Sequence, residues 1–332
     1  MTRLSDIGGV LIGLAAASAI AGLIGWRVLS PAQGPAPPPS PSPSAENLHP
    51  PGCAAAAWGA AARANRTTLF TLQWSPFGRP ETGWATYAPL VAQEVGARCP
   101  ADSEGFARAY ARWQATRKLA ADGVFKPADF DQIRDALALR RPFVQQTARG
   151  LCPTAPDPAT LATARDDEGY GGKRVQLRPA ALEAYRRMVA QARREGVATR
   201  PDSLRLISGY RGPGEEAARC ADGGCNTLTR ARCSAHRTGL AIDLSLPPAP
   251  GYATTSTADE NRRHMAGTAE YLWLVANAPR FGFLPYAYEP WHWEWTGEAP
   301  RGEAAHILPE LTASARRHYA GAKPMTLARK HR

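Results

Sequence analysis

The stretch Ser-Ala-His-Arg-Thr-Gly-Leu-Ala-Ile-Asp-Leu, residues 234–244, sets a histidine and an aspartate seven positions apart, with apolar residues around the aspartate. A carboxylate in such surroundings needs a cationic partner or a metal, because burying it alone is costly. His236 offers an imidazole, Gly239 lets the chain bend back, and Asp243 lies in Leu-Ala-Ile-Asp-Leu, which reads as a strand. A third ligand is available at His292, between Trp291 and Trp293. Catalytic zinc takes three protein ligands from histidine and carboxylate and keeps a fourth position open. His236, Asp243 and His292 meet that count. Glu289 stands three residues before His292, where a carboxylate can serve as general base toward an attacking water. Arg211 supplies a planar fork suited to a free carboxylate on a substrate. Together these residue types describe zinc-dependent hydrolysis of a peptide bond near a C-terminus.

These side chains need elements to hold them. Residues 177–196 open with Pro179, repeat apolar side chains at Leu182, Tyr185, Val189 and Ala192, and close on Gly196, the marks of an amphipathic helix. Residues 204–211 read as a short strand running through a glycine turn to Arg211. Residues 270–286 read as a helix followed by a strand entry, and Tyr-Glu-Pro-Trp-His-Trp-Glu-Trp closes the unit at 288–295. This order predicts an α+β domain over residues 166–300, a small and mostly antiparallel sheet with flanking helices holding the zinc site. The tryptophans Trp291, Trp293 and Trp295 are expected in the core or the pocket wall.

The pattern Ser234-x-His236-x-x-Gly239-x-Ala241-x-Asp243, followed by Glu289-Pro290-Trp291-His292, resembles the VanY-type D-alanyl-D-alanine carboxypeptidases, zinc metallopeptidases of the group that includes lysostaphin and hedgehog-like folds. Ser-Gly-Tyr-Arg at 208–211 and Asn-Ala-Pro-Arg-Phe-Gly-Phe at 277–283 agree with that pattern, so the resemblance spans about residues 175–296. It implies that His236, Asp243 and His292 ligate zinc and that Glu289 is the base that later protonates the leaving amine. It further implies that Arg211 binds the substrate's terminal carboxylate and that Ser234 helps hold the peptide. One departure bears on the subsites: the family usually carries a glutamine shortly after this arginine, where this chain has Glu216. The implied reaction is removal of the terminal D-Ala from peptidoglycan stem peptides. The alternatives are an endopeptidase of the L-Ala-D-Glu type and a wall-binding module without turnover; an intact Glu289 favours an enzyme.

Upstream, residues 52–165 are rich in alanine and arginine and read mostly helical. Within them Phe106, Tyr110 and Trp113 form one helix face, Asp122-Gly123 a turn, and Phe130, Ile133 and Leu137 a second face. The segment 106–137 resembles the helical peptidoglycan-binding repeat; a plain helical hairpin is an equal alternative. The chain of 332 residues carries a net charge of +11, which favours an anionic partner. From Ile7 to Trp26 no residue is charged, a length that spans a bilayer. Residues 1–29 therefore read as a single-pass anchor, more than as a cleaved signal peptide ending near Ala19-Ile20-Ala21. Residues 30–51 form a linker, with nine of the thirty prolines falling in 31–51, and 301–332 a basic tail. The six cysteines all follow the anchor and form no CxxC pair, as expected of disulfides in an oxidising compartment. The expectation is an enzyme of the inner or cytoplasmic membrane with its catalytic domain on the periplasmic or extracellular side. An anchor, a linker and exported cysteines leave no place for nucleic acid as the partner of the basic charge.

Overall fold

The computed structural model describes residues 52–148, 150–221, 224–226, 228–229 and 233–297. The expected anchor, linker and basic tail lie outside the described residues. Among the described residues no helix is long and apolar enough to cross a membrane.

The upstream part is built from α1 (Gly59–Thr71), a hairpin of β1 (Gln73–Trp74) and β2 (Glu81–Thr82), α2 (Ala88–Glu94), α3 (Glu104–Thr116), α4 (Pro127–Arg140) and α5 (Pro142–Thr147). The Ser103 hydroxyl accepts from the Phe106 amide and caps α3, satisfying one of the donors a helix start leaves free. Pro127 opens α4, where its missing N–H costs nothing. Phe106, Tyr110 and Trp113 on α3, and Phe130, Ile133 and Leu137 on α4, are all buried, as their spacing predicts. Their partners are core side chains: Trp84 stacks on Phe125 with ring centroids 4.1 Å apart, and Tyr110 lies 5.5 Å from Trp113. Each such aromatic contributes on the order of 2–3 kcal/mol by leaving water. The β1–β2 hairpin is an element the helical expectation for this region did not include.

The rest of the chain adds β3 (Ala162–Thr163) paired antiparallel with β4 (Gln176–Leu177), then α6 (Pro179–Arg194), β5 (Leu206–Ser208) and α7 (Pro213–Cys220). There follow a 3₁₀ turn at Ala235–Thr238, β6 (Ala241–Leu244), α8 (Asp259–Ala266), α9 (Ala269–Asn277), β7 (Phe283–Pro285) and β8 (His292–Trp295). Strands β5, β6, β8 and β7 form a four-stranded sheet in that order, every pair antiparallel. The α+β class is the one expected. Helix α6 runs from Pro179 and buries Leu182, Tyr185, Val189 and Ala192 against the sheet's core.

One contiguous core joins both parts, from Trp74, Phe106 and Phe130 to Leu206, Ile242 and Trp293. Arg262 is fully buried on α8 and reaches across to Glu81 at 3.1 Å and to the Tyr87 hydroxyl. A charge so placed requires these partners. All six cysteines pair, as Cys53–Cys99, Cys152–Cys233 and Cys220–Cys225.

Candidate metal centre and cleft

Asp243 and His292 are direct cross-strand partners in β6 and β8. Residues opposed on neighbouring antiparallel strands present their side chains on one face, and here Asp243 Oδ1 lies 3.0 Å from His292 Nδ1. His236 arrives from the 3₁₀ turn, whose start is capped by the Ser234 hydroxyl accepting from the His236 amide at 3.2 Å. The turn ends at Gly239, whose φ of +69° is a left-handed conformation that glycine adopts without strain. This brings His236 Nε2 to 3.1 Å from Asp243 Oδ2. One ligating atom from each of the three residues falls within 4.8 Å of the others, and all three residues are buried.

The donor set fits a metal ion. His236 Nδ1 donates to the Gly209 carbonyl at 2.7 Å. Position 209 takes a glycine because a Cβ there would come within 2.5 Å of the Gln176 carbonyl oxygen. Burial holds His236 toward the neutral form, against the pull of Asp243, so with Nδ1–H committed its Nε2 presents a lone pair. Burial alone would raise Asp243, but the two histidines outweigh it and hold the carboxyl far below the usual range. A lone pair and a carboxylate 3.1 Å apart repel unless a cation lies between them, and neutral imidazole with carboxylate is a donor set that suits zinc. His292 is raised to about 9, its burial overcome by hydrogen bonding to Asp243 and by Glu294. Its Nε2 is buried without a hydrogen-bond partner.

The three candidate ligands sit in a cleft of about 920 Å³ whose wall includes Arg211, Ser234, Glu289 and Tyr286. Arg211 donates to the Ser234 and Ser208 hydroxyls, each at 3.2 Å, and its amide donates to the His236 carbonyl at 3.1 Å. Among the described residues it makes no ion pair, so its guanidinium is open to an anion in the cleft. Glu289 is held in a turn in which the His292 amide donates to the Glu289 carbonyl at 3.0 Å. Burial pushes its carboxyl up to about 7, with His292 opposing. Among the described residues the Glu289 side chain has no hydrogen bond or ion pair. The structure thus brings His236, Asp243, His292, Glu289, Arg211 and Ser234 together in one cleft. His264 is exposed.

Glu216 does not enter the cleft chemistry. It is buried, accepts from the Ser234 amide at 3.0 Å and pairs with Arg237, so the departure from the family's glutamine is absorbed in holding the loop that carries His236. The residues that sequence reasoning missed are Glu294 and Arg141. Glu294 is 1% exposed and its Oε1 accepts from Arg141 Nε at 2.7 Å. Its presence among three tryptophans, two residues after His292, was the available signal. Arg141 precedes Pro142 in an arginine-rich stretch and carried none. Arg141 also lies over the Tyr286 ring at 4.2 Å.

Comparison with known proteins adds two findings. Residues 222–298 match the family model described as VanY: D-alanyl-D-alanine carboxypeptidase. The crystal structure of DacB from Streptococcus pneumoniae D39 is similar over 50% of this chain and 95% of its own, with 17% sequence identity and a TM-score of 0.26. No curated protein matches the chain. The matched stretch, residues 222–298, holds all three candidate ligands and Glu289.

Proposed function

We propose that this chain is a zinc-dependent D,D-carboxypeptidase that removes the terminal D-Ala from peptidoglycan stem peptides. The observation that carries the reading is the convergence of His236, Asp243 and His292 on one cleft with Arg211 and Glu289, neither of which makes an ion pair among the described residues. A bound zinc ion supplies Lewis acidity toward a carbonyl at neutral pH. The residues do the rest. The Arg211 fork, braced by Ser208 and Ser234, takes the carboxylate of the C-terminal residue and so sets which peptide bond lies over the ligands. Glu289, ionised, accepts the proton of the attacking water as the C–O bond forms. The same proton then passes from Glu289 to the leaving amine as the C–N bond breaks, which returns the carboxylate to its starting state. A carboxyl raised to about 7 is suited to both transfers near neutrality.

A membrane-tethered enzyme facing the oxidising side belongs to the same reading, supported by the uncharged run at 7–26 and by three disulfides, which persist in oxidising compartments. The deciding experiment incubates the zinc-loaded protein with a pentapeptide stem ending in D-Ala-D-Ala and reads products by mass spectrometry, beside Glu289→Ala. Loss of one alanine by the wild type alone supports the carboxypeptidase. Cleavage inside the stem reassigns it as an endopeptidase, and no cleavage of stem or sacculi favours a wall-binding module.

A further inference from the structure

We propose that Glu294 and Arg141 are positioning residues of the metal centre, acting through His292; the inference rests on the metal-site reading above. Strand β8 alternates its side chains, so His292 and Glu294 share one face while Trp293 and Trp295 take the other. Glu294 Oε1 lies 3.5 Å from His292 Nε2, and that nitrogen is buried with no hydrogen-bond partner. Once Nδ1 gives its lone pair to a cation beside Asp243, the ring proton resides on Nε2, and Glu294 is the carboxylate placed to receive it. Such a carboxylate fixes the tautomer and orientation of a ligating imidazole and raises its basicity.

Glu294 cannot swing away from this task. Its Oε1 accepts from Arg141 Nε at 2.7 Å and pairs with a second Arg141 nitrogen at 2.5 Å, while its Oε2 accepts from the Phe143 amide at 2.9 Å. Arg141 and Phe143 flank the start of α5, in the upstream helical part of the chain. Arg141 is itself only 8% exposed and stacks on Tyr286, a residue of the cleft wall whose ring stands 5.8 Å from His292. A buried ion pair is a weak source of stability compared with apolar side chains of the same volume. Its location, behind a ligand and facing the only buried histidine nitrogen without a partner among the described residues, is accounted for by orientation of His292. The upstream helices then take part in building the metal centre.

The test uses the full chain and the variants Glu294→Gln and Arg141→Lys. Zinc affinity is measured by competition with a chromophoric chelator, the visible spectrum is recorded with cobalt in place of zinc, and the metal-free proteins are melted. The expected result is a loss of zinc affinity of about tenfold or more in Glu294→Gln with an altered cobalt spectrum, a smaller loss in Arg141→Lys, and folded metal-free proteins. Wild-type affinity and spectrum in a folded Glu294→Gln variant overturn the inference while leaving the metal site intact. If Glu294→Gln does not fold, Arg141→Lys decides on the same readouts. Failure of both to fold makes the pair structural and also overturns it. A wild type that takes up no zinc removes the functional reading itself.

Discussion

Glu289 and His292 are three residues apart, yet their surroundings push them toward opposite duties. In the proposed reaction Glu289 must be ionised to accept a proton, so its rate contribution grows with pH. Burial raises its carboxyl to about 7, and a bound cation would draw it back down. The expected profile of kcat/KM is therefore a rise with pH through an acidic limb at or somewhat below about 7. Glu289→Gln should lose that limb and reduce kcat by about 10²- to 10⁴-fold, with zinc still bound when measured by metal analysis. His292 behaves differently. In the metal-free protein it is held up to about 9 by Asp243 and Glu294 against its burial, so at pH 7 it carries a proton that a metal must displace. Zinc loading at pH 7 should release between one and two protons, one from His292 and a fraction from Glu289. The release should fall as pH rises through 9, read by calorimetry in buffers of different ionisation enthalpy. His236, kept toward the neutral form by burial, should add nothing. That Glu289, His292 and His236 gather in one cleft could be read from residue type, spacing and motif order. Glu294 escaped because its task is set by what lies behind the strand, which no local pattern records.

Strand pairing makes the candidate ligands converge. Asp243 and His292 meet because β6 and β8 pair in a register that opposes them, and a slip of one residue would turn one of them to the far face. The apolar run Leu-Ala-Ile-Asp-Leu announced β6, and Pro179 and Gly196 marked the ends of the helix upstream of it, whereas Trp-His-Trp-Glu-Trp showed only where the unit closes. The register itself could not be read, because it depends on which strands become neighbours. The loop before β6 has a second determinant. Glu216 holds the Ser234 amide and Arg237 at once, so it fixes the turn that presents His236 and the hydroxyl that braces Arg211. Removing one partner of a buried ion pair typically costs about 3–5 kcal/mol, and Arg237 retains some contact with solvent, so Glu216→Ala should cost about 2–3 kcal/mol in a denaturant titration. It should also raise KM by loosening Arg211 and Ser234. Glu216→Gln keeps an acceptor for the Ser234 amide and should fall between that variant and wild type in both measurements. An equal loss in the two variants would place the whole effect in the charge of the Arg237 pair.

In the sequence the upstream helices form a separate region whose segment 106–137 resembles a peptidoglycan-binding repeat or a plain helical hairpin, with Phe106, Tyr110 and Trp113 on one apolar face. In the fold that face is buried among Trp84, Phe125 and Phe130, because a sheet of four short strands offers too little apolar surface to close a core alone. Spacing revealed the helices and could not reveal what they covered. The core runs unbroken from Trp74 to Trp293, the Cys152–Cys233 bond joins the chain near α5 to the residue before Ser234, and the Arg262 group ties α8 to the β1–β2 hairpin. A chain that begins at residue 150 would lose Glu81 and Tyr87 from Arg262 and Arg141 from Glu294, leaving two buried charges without their main partners. Each unpaired buried charge costs several kcal/mol, against a total stability of about 5–15 kcal/mol for an ordinary domain. Residues 150–332 alone should therefore show no cooperative thermal transition and weak zinc binding, while residues 52–332 should melt in a single step that zinc shifts upward. A cooperative melt of residues 150–332, with zinc bound as tightly as in the longer chain, would instead make the helical part a detachable module. The aromatic and ion-pair contacts across residue 150 would then contribute little to either the fold or the metal centre.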